Sequence, residues 1–167
     1  MTIVPNLSDE AALRQAFAHF PAGLAALAAQ VDGADQVLLV ASFSVGISLS
    51  PPLVSFAVQR SSSTWPLLRQ APVIGVSILA SGQDHLCRQL SSKDKSVRWA
   101  GVDIERGDTG SVLIGHAALT FECAIHAEYP AGDHEVVLME VKSFRATTEQ
   151  EPLVFHGSRF RSLEAMA

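Results

Sequence analysis

Hydrophobic positions recur at helical spacing near the start of the chain, at Leu13, Phe17 and Phe20, and again at Leu86 and Leu90. Ser8 stands ahead of the first stripe as an N-cap, Asp9 and Glu10 sit where a helix dipole favours acids, and Pro21 ends the run. One face of this helix is expected to pack on a core. The pattern then breaks into short apolar segments. Residues 24–29 and 37–41 read as two strands joined by a hairpin at Asp32-Gly33, and Pro51-Pro52 interrupts the chain before a third strand over 53–58. Residues 64–69 form a capped helical turn with Pro66 near its start, 73–79 is a β-branched strand, and Ser81 caps a short helix running to Leu90. Residues 91–111 are polar and punctuated by glycine, which reads as a long excursion. Strict alternation returns over 119–126, placing Leu119, Phe121, Cys123 and Ile125 on one face. A turn at 130–134 leads to a return strand over 136–141. A last segment over 153–156 follows Pro152 and ends in Arg159-Phe160-Arg161. Six or more strands with few helices predict a closed or nearly closed antiparallel barrel. With no repeat, low-complexity tract or linker, residues 1–167 read as one domain.

Composition narrows the picture. The chain is 48% apolar and 17% charged, which suits a packed core rather than disorder. A net charge of −5 argues against a nucleic-acid partner, since phosphate affinity rests on clustered Lys and Arg. A single ligand phosphate needs only a few local donors. Cys87 and Cys123 lie far apart with no CxxC spacing and read as free thiols in a reducing compartment. With no secretory leader and no apolar run of about 18 residues, the expectation is a soluble, cytoplasmic protein with no membrane partner.

Three segments carry more polar groups than a barrel requires. Ser42, Phe43, Ser44, Val45 and Gly46 can leave amide and hydroxyl donors facing a ligand rich in acceptors, or can satisfy themselves as a turn. Gln59, Arg60, Ser61, Ser62, Ser63 and Thr64 lead into a helix and suit a phosphate cradle, or equally a capped loop with a solvated Arg60. His134 follows Gly132-Asp133 on a turn, where it is either a surface residue or a site residue whose ring Asp133 orients. The remaining histidines show no metal-ligand spacing, and no metal is expected. GxGxxG, P-loop and GxSxG patterns are all absent from the chain.

Five stretches in order, residues 17–23, 41–54, 59–69, 131–134 and 152–156, resemble the flavin reductase-like, FMN-binding split-barrel family over most of residues 13–163. The resemblance implies a mainly β, antiparallel split barrel of Greek-key type with a few short flanking helices. It also implies a homodimer that binds flavin near the subunit interface. Ser42, Phe43, Ser44 and Val45, with Ala41 before them, would contact the isoalloxazine ring. Arg60, Ser61, Ser62, Ser63 and Thr64, entered through Gln59, would hold the ribityl phosphate. Lys93 and Arg98 would add positive charge near it. His134, beside Asp133, would lie by the nicotinamide, with His156 and Arg159 closing that side. The implied reaction is hydride transfer from NADH or NADPH to FMN or FAD, supplying reduced flavin to a monooxygenase partner. The alternative is a non-catalytic split barrel that holds flavin, deazaflavin or heme. Two positions depart from the family pattern: Ser50 replaces an Asp before the Pro-Pro pair, and Ala41 stands where Gly or Asn is common.

Overall fold

The computed structural model describes residues 9–164. Helix α1 spans Glu10–Phe17 and is capped by Asp9, whose side chain accepts from the Ala12 amide. The expected cap, Ser8, lies outside the described residues. The stripe expected to face a core does not do so. Leu13 is half-buried, whereas Phe17 and Phe20 are 70% and 78% exposed. The helix ends at Phe17, so Phe20 leaves the helical face, while Phe17 lines an open cavity instead of a core.

Strand β1 is the pair Ala22–Gly23. Strands β2 (Ala25–Val31) and β3 (Ala34–Val40) form the expected hairpin. Asp32 and Gly33 both have positive φ, as a type I′ turn requires. Then follow β4 (Ser44–Leu49), β5 (Pro52–Gln59), the single helical turn α2 (Trp65–Leu68) and β6 (Ile74–Ile78). The expected helix over 81–90 is a 3-10 turn, Ser81–Gln83, running into α3 (Asp84–Leu90). Ser81 is its first residue rather than its cap; the Gln83 carboxamide accepts from the Ala80 amide instead. The excursion holds a short antiparallel pair, β7 (Ile104–Arg106) and β8 (Val112–Ile114). Strands β9 (Leu119–Ala131) and β10 (His134–Ala146) make a hairpin far longer than the alternation alone suggested. Strands β11 (Val154–His156) and β12 (Arg159–Arg161) close the described chain as a hairpin, and β11 also pairs with β1.

The main sheet runs β3-β2-β6-β9-β10-β5-β4 with antiparallel neighbours throughout. The fold is therefore mainly β and antiparallel, with few short helices. Curling brings β3 toward β5, but β4 covers only the first part of β5, from Pro52 to Ser55. Beyond that point Ser42 bridges the gap. Its hydroxyl donates to the Ala57 carbonyl (2.9 Å) and accepts from the Ala57 amide (3.0 Å). The barrel is split there.

Strand β2 shows why its sequence reads as an unbroken apolar run. Ala25, Leu27 and Ala29 point into the barrel, while Leu24, Ala26 and Ala28 face a second core under α3 and β8. With both faces buried, nothing selects for alternation. Gly75 on β6 lets β8 cross closely, because a Cβ there would sit 2.2 Å from the Val112 carbonyl oxygen. The alternating face of β9, in contrast, packs into the barrel core as expected.

Candidate active site at the barrel split

A cavity of about 830 Å³ lies where the main ladder fails to close. Leu38 to Ala41 form one side and Ala57 to Gln59 the other. Strand register brings the polar segments together at this opening. Gln59 on β5 stands opposite His134 on β10, so the chain leaving β5 passes beside the Gly132-Asp133 turn. Gly132 carries the positive φ at the first corner of that turn, and the Arg60 amide donates to the Asp133 carbonyl (3.0 Å).

From Arg60 onward the loop is held from below. The Ser62 hydroxyl accepts from the Trp65 and Thr64 amides (3.1 and 3.3 Å). The buried Trp65 packs edge-on against Phe56 and donates its indole N–H to Glu128 (3.1 Å). Arg69 pairs with the same carboxylate. These contacts leave the Ser61 and Ser63 amides, and the Ser63 and Thr64 hydroxyls, without a partner among the described residues. Ser61, Ser62, Ser63 and Thr64 all line the cavity. Helix α2 is one turn long, so its dipole adds little, and the donors themselves make the cradle.

His134 lines the cavity and its Nδ1 lies 2.7 Å from Asp133 Oδ1. The Asp133 carboxyl is held below its ordinary range, first by that hydrogen bond and then by the charge of the His134 ring. An ionised carboxylate only accepts, so Nδ1 carries the proton, and Nε2 has no partner among the described residues.

The structure redistributes the other expected site residues. Ala41 and Ser42 line the cavity, but Phe43 turns into the barrel and packs against Phe121 (ring centroids 6.1 Å apart). Ser44 and Val45 belong to the edge strand β4 and lie outside this cavity. The loop reading of 42–46 therefore needs correcting. Gly46, with φ +72, sits in the register shift between Ser44 and Ser48, and the irregularity hides a strand. Arg60 is exposed and not part of the lining. Lys93 is exposed in the loop after α3, away from the cavity wall. Arg98 is committed elsewhere: it donates to the Ser92 carbonyl (2.7 Å) and the Val37 carbonyl (3.2 Å), tying the excursion onto β3. His156 and Arg159 also lie outside the lining, with His156 edge-on to His19 at 6.5 Å. Phe155 lines the cavity instead of its neighbour His156, because alternate residues on a strand face opposite ways, and Ser158 lines it from the turn before Arg159.

Sequence reading missed Phe17, Phe20, Leu38, Leu39 and Phe155, which form the apolar wall of the cavity, and Arg14 at its rim. The one available signal was an aromatic stripe on a helix too short and polar to bury it.

A profile for the flavin reductase like domain matches residues 17–164. The chain belongs to that family. It is 30% identical to a flavin reductase of Pseudomonas putida over 165 residues, covering 98% of this chain and 96% of the relative. It is also 30% identical over 152 residues to the reductase component of 4-hydroxyphenylacetate 3-monooxygenase from Thermus thermophilus, covering 91% and 95% of the two chains. The NADH:FAD oxidoreductase of Streptomyces globisporus C-1027, solved with NAD and FAD fragments, superposes with a TM-score of 0.90 at 30% identity, covering 98% of each chain. Membership gives the split barrel its functional frame, and the residues lining this chain's own cavity can be read against it.

The cavity suits a flavin on its own chemistry. A flat, largely apolar ring system needs the aromatic and aliphatic wall, and a ribityl phosphate needs the unpaired donors of residues 61–64.

Proposed function

We propose that this chain is an NAD(P)H-dependent flavin reductase that takes FMN or FAD and passes reduced flavin to a partner monooxygenase. The observation that carries this reading is the convergence, at the barrel split, of unpaired donors from residues 61–64 with His134 on an apolar cavity. The reductase names of its relatives support it.

A bound flavin would supply the hydride acceptor, and a reduced nicotinamide the donor. The protein needs no covalent group for such a transfer. Its residues orient two rings and exclude water. Ser63 and Thr64 hold the phosphate with hydroxyl and amide donors, while Ser61 adds an amide. Phe17, Phe20 and Phe155 cover the ring faces. His134, fixed by Asp133 at Nδ1, presents Nε2 to the amide or ribose of the nicotinamide nucleotide. Ala41 and Ser42 border the ring at the closure point.

We also infer a homodimer. Phe20, Leu49 and Phe144 are 78%, 88% and 72% exposed in a single chain, more large apolar surface than a monomer keeps in water, and a second copy would cover it. Among the described residues no helix is long and apolar enough to cross a membrane. The two buried free thiols support a reducing compartment such as the cytoplasm.

The test is oxidation of NADH and of NADPH, followed at 340 nm, with FMN or FAD present or withheld. Flavin-dependent oxidation in at least one of the four combinations is expected. Its absence from all four, with protein that nonetheless retains flavin, would replace the reductase with a flavin-binding protein.

A further inference from the structure

A bulge in β9 turns the Glu128 side chain toward the inside of the barrel. The inward series Leu119, Phe121, Cys123 and Ile125 would continue at residue 127 if the strand ran on regularly. Instead the pairing slips between Ile125, opposite Met139, and Ala127, opposite Leu138, which leaves His126 as the extra residue. Past that point the parity is reversed. Glu128 stands opposite Val137, which is fully buried in the barrel core. Only 21% of the Glu128 side chain is exposed. Its two oxygens go to two residues of one short segment: Oε1 accepts the Trp65 indole N–H (3.1 Å), and Oε2 pairs with the Arg69 guanidinium just past α2.

That segment adjoins the donors of the cavity. Trp65 follows Thr64 directly, and its backbone amide donates to the Ser62 hydroxyl. The residue therefore grips the loop with its amide and the barrel wall with its indole. Its ring also rests edge-on against Phe56, so packing already keeps it in the core. A carboxylate drawn inside a barrel adds little net stability, because taking an ion pair out of water costs about what its attraction returns. What the two bonds add is orientation. They fix the rotation of α2 against β9, and with it the direction in which the Ser63 and Thr64 hydroxyls face the cavity. Resting on the flavin-reductase reading, we propose that Glu128 is a positioning residue for the flavin phosphate, acting through the Trp65 indole. Glu128 is not part of the cavity lining and touches no ligand there. Its effect is to set the preference for a phosphorylated flavin over riboflavin.

The test measures the affinities of the full chain for FMN and for riboflavin by quenching of flavin fluorescence, with urea denaturation confirming that each variant is folded. Glu128→Ala should weaken FMN binding about fivefold or more and leave riboflavin within about twofold, a split that general loosening of the fold does not produce. Glu128→Gln keeps an acceptor for the indole and should retain most of the FMN preference. Trp65→Phe keeps a ring against Phe56 but removes the donor, so it should lose the preference by itself. Adding Glu128→Ala to it should then cost no more than about twofold further. Should Glu128→Ala fail to fold, the ratio is read on Trp65→Phe. An unchanged ratio in the variant read overturns the proposal, as do equal losses for FMN and riboflavin, a Gln variant as weak as the Ala variant, or additive losses in the double variant. A wild type that binds FMN no better than riboflavin removes the phosphate site itself, and the role of Glu128 with it. A wild type that prefers FMN, with variants that prefer it equally, leaves the flavin reading standing and removes Glu128 alone.

Discussion

His134 illustrates how one hydrogen bond sets the role of a side chain. With Asp133 ionised and holding Nδ1, the ring is fixed in place and offers Nε2 to a ligand. His134→Ala should raise the KM for the nicotinamide nucleotide several-fold while leaving FMN affinity within about twofold. Unchanged steady-state constants with both NADH and NADPH would remove it from the site. Glu122 behaves as a structural counterpart. Its carboxylate accepts from the Ser111 and Ser143 hydroxyls (2.6 Å each), and these bonds lower its pKa. A depressed carboxyl contributes stability above its ordinary value and loses it as pH falls through the folded value. Glu122→Gln should therefore lower Tm at pH 7, and the gap between variant and wild type should close as the pH drops below 4.5, the ordinary glutamate value. A gap that persists in acid would mean the carboxylate charge is not what matters. The buried thiols make a third case. Burial pushes Cys87 up to about 11 and Cys123 up to about 12. Neither should react with a disulfide reagent at pH 8 until the protein is unfolded, because only thiolates attack.

Among the elements, the junction of β3 and β5 governs both closure and binding. Ser42 does there what a ladder does elsewhere, pairing with both polar groups of Ala57. Ser42→Ala removes both bonds and should destabilise the fold by about 1 kcal/mol, with a parallel loss of FMN affinity, measured by urea denaturation and fluorescence quenching. Weakened binding at full stability would place the hydroxyl on the ligand instead of on the split. The same junction explains why the loop reading of residues 42–46 failed. Phe43 and Val45 are apolar enough to read as packing residues, yet the glycine-marked shift in β4 obscured the strand that begins at Ser44. In the 61–64 segment the Ser62 hydroxyl is spent on the Thr64 and Trp65 amides, while those of Ser63 and Thr64 have no partner among the described residues. Arg98 was misjudged because two backbone carbonyls, invisible as acceptors in a sequence, take its donors.

Across the whole molecule, a single chain leaves its cavity wall and β4 edge with large exposed apolar residues, which the proposed second copy would cover. Phe144→Glu, on β10 beside the apolar groove formed with Leu49, should shift the sedimenting species from dimer toward monomer. A wild type that sediments as a monomer would leave those residues without a covering partner. The hydrophobic pattern by itself determined the antiparallel barrel, the I′ hairpin at Asp32-Gly33 and the inward face of β9, since turn chemistry and two-residue periodicity are local properties. It also marked Ser61, Ser63, Thr64 and His134 as polar groups in search of a purpose. Only tertiary structure decided which of the candidates meet. Register placed Gln59 opposite His134, strand parity gave Phe155 the wall in place of His156, and the incomplete closing of β3 on β5 opened the cavity. Those outcomes depend on pairings between residues distant in sequence, and no local pattern encodes them.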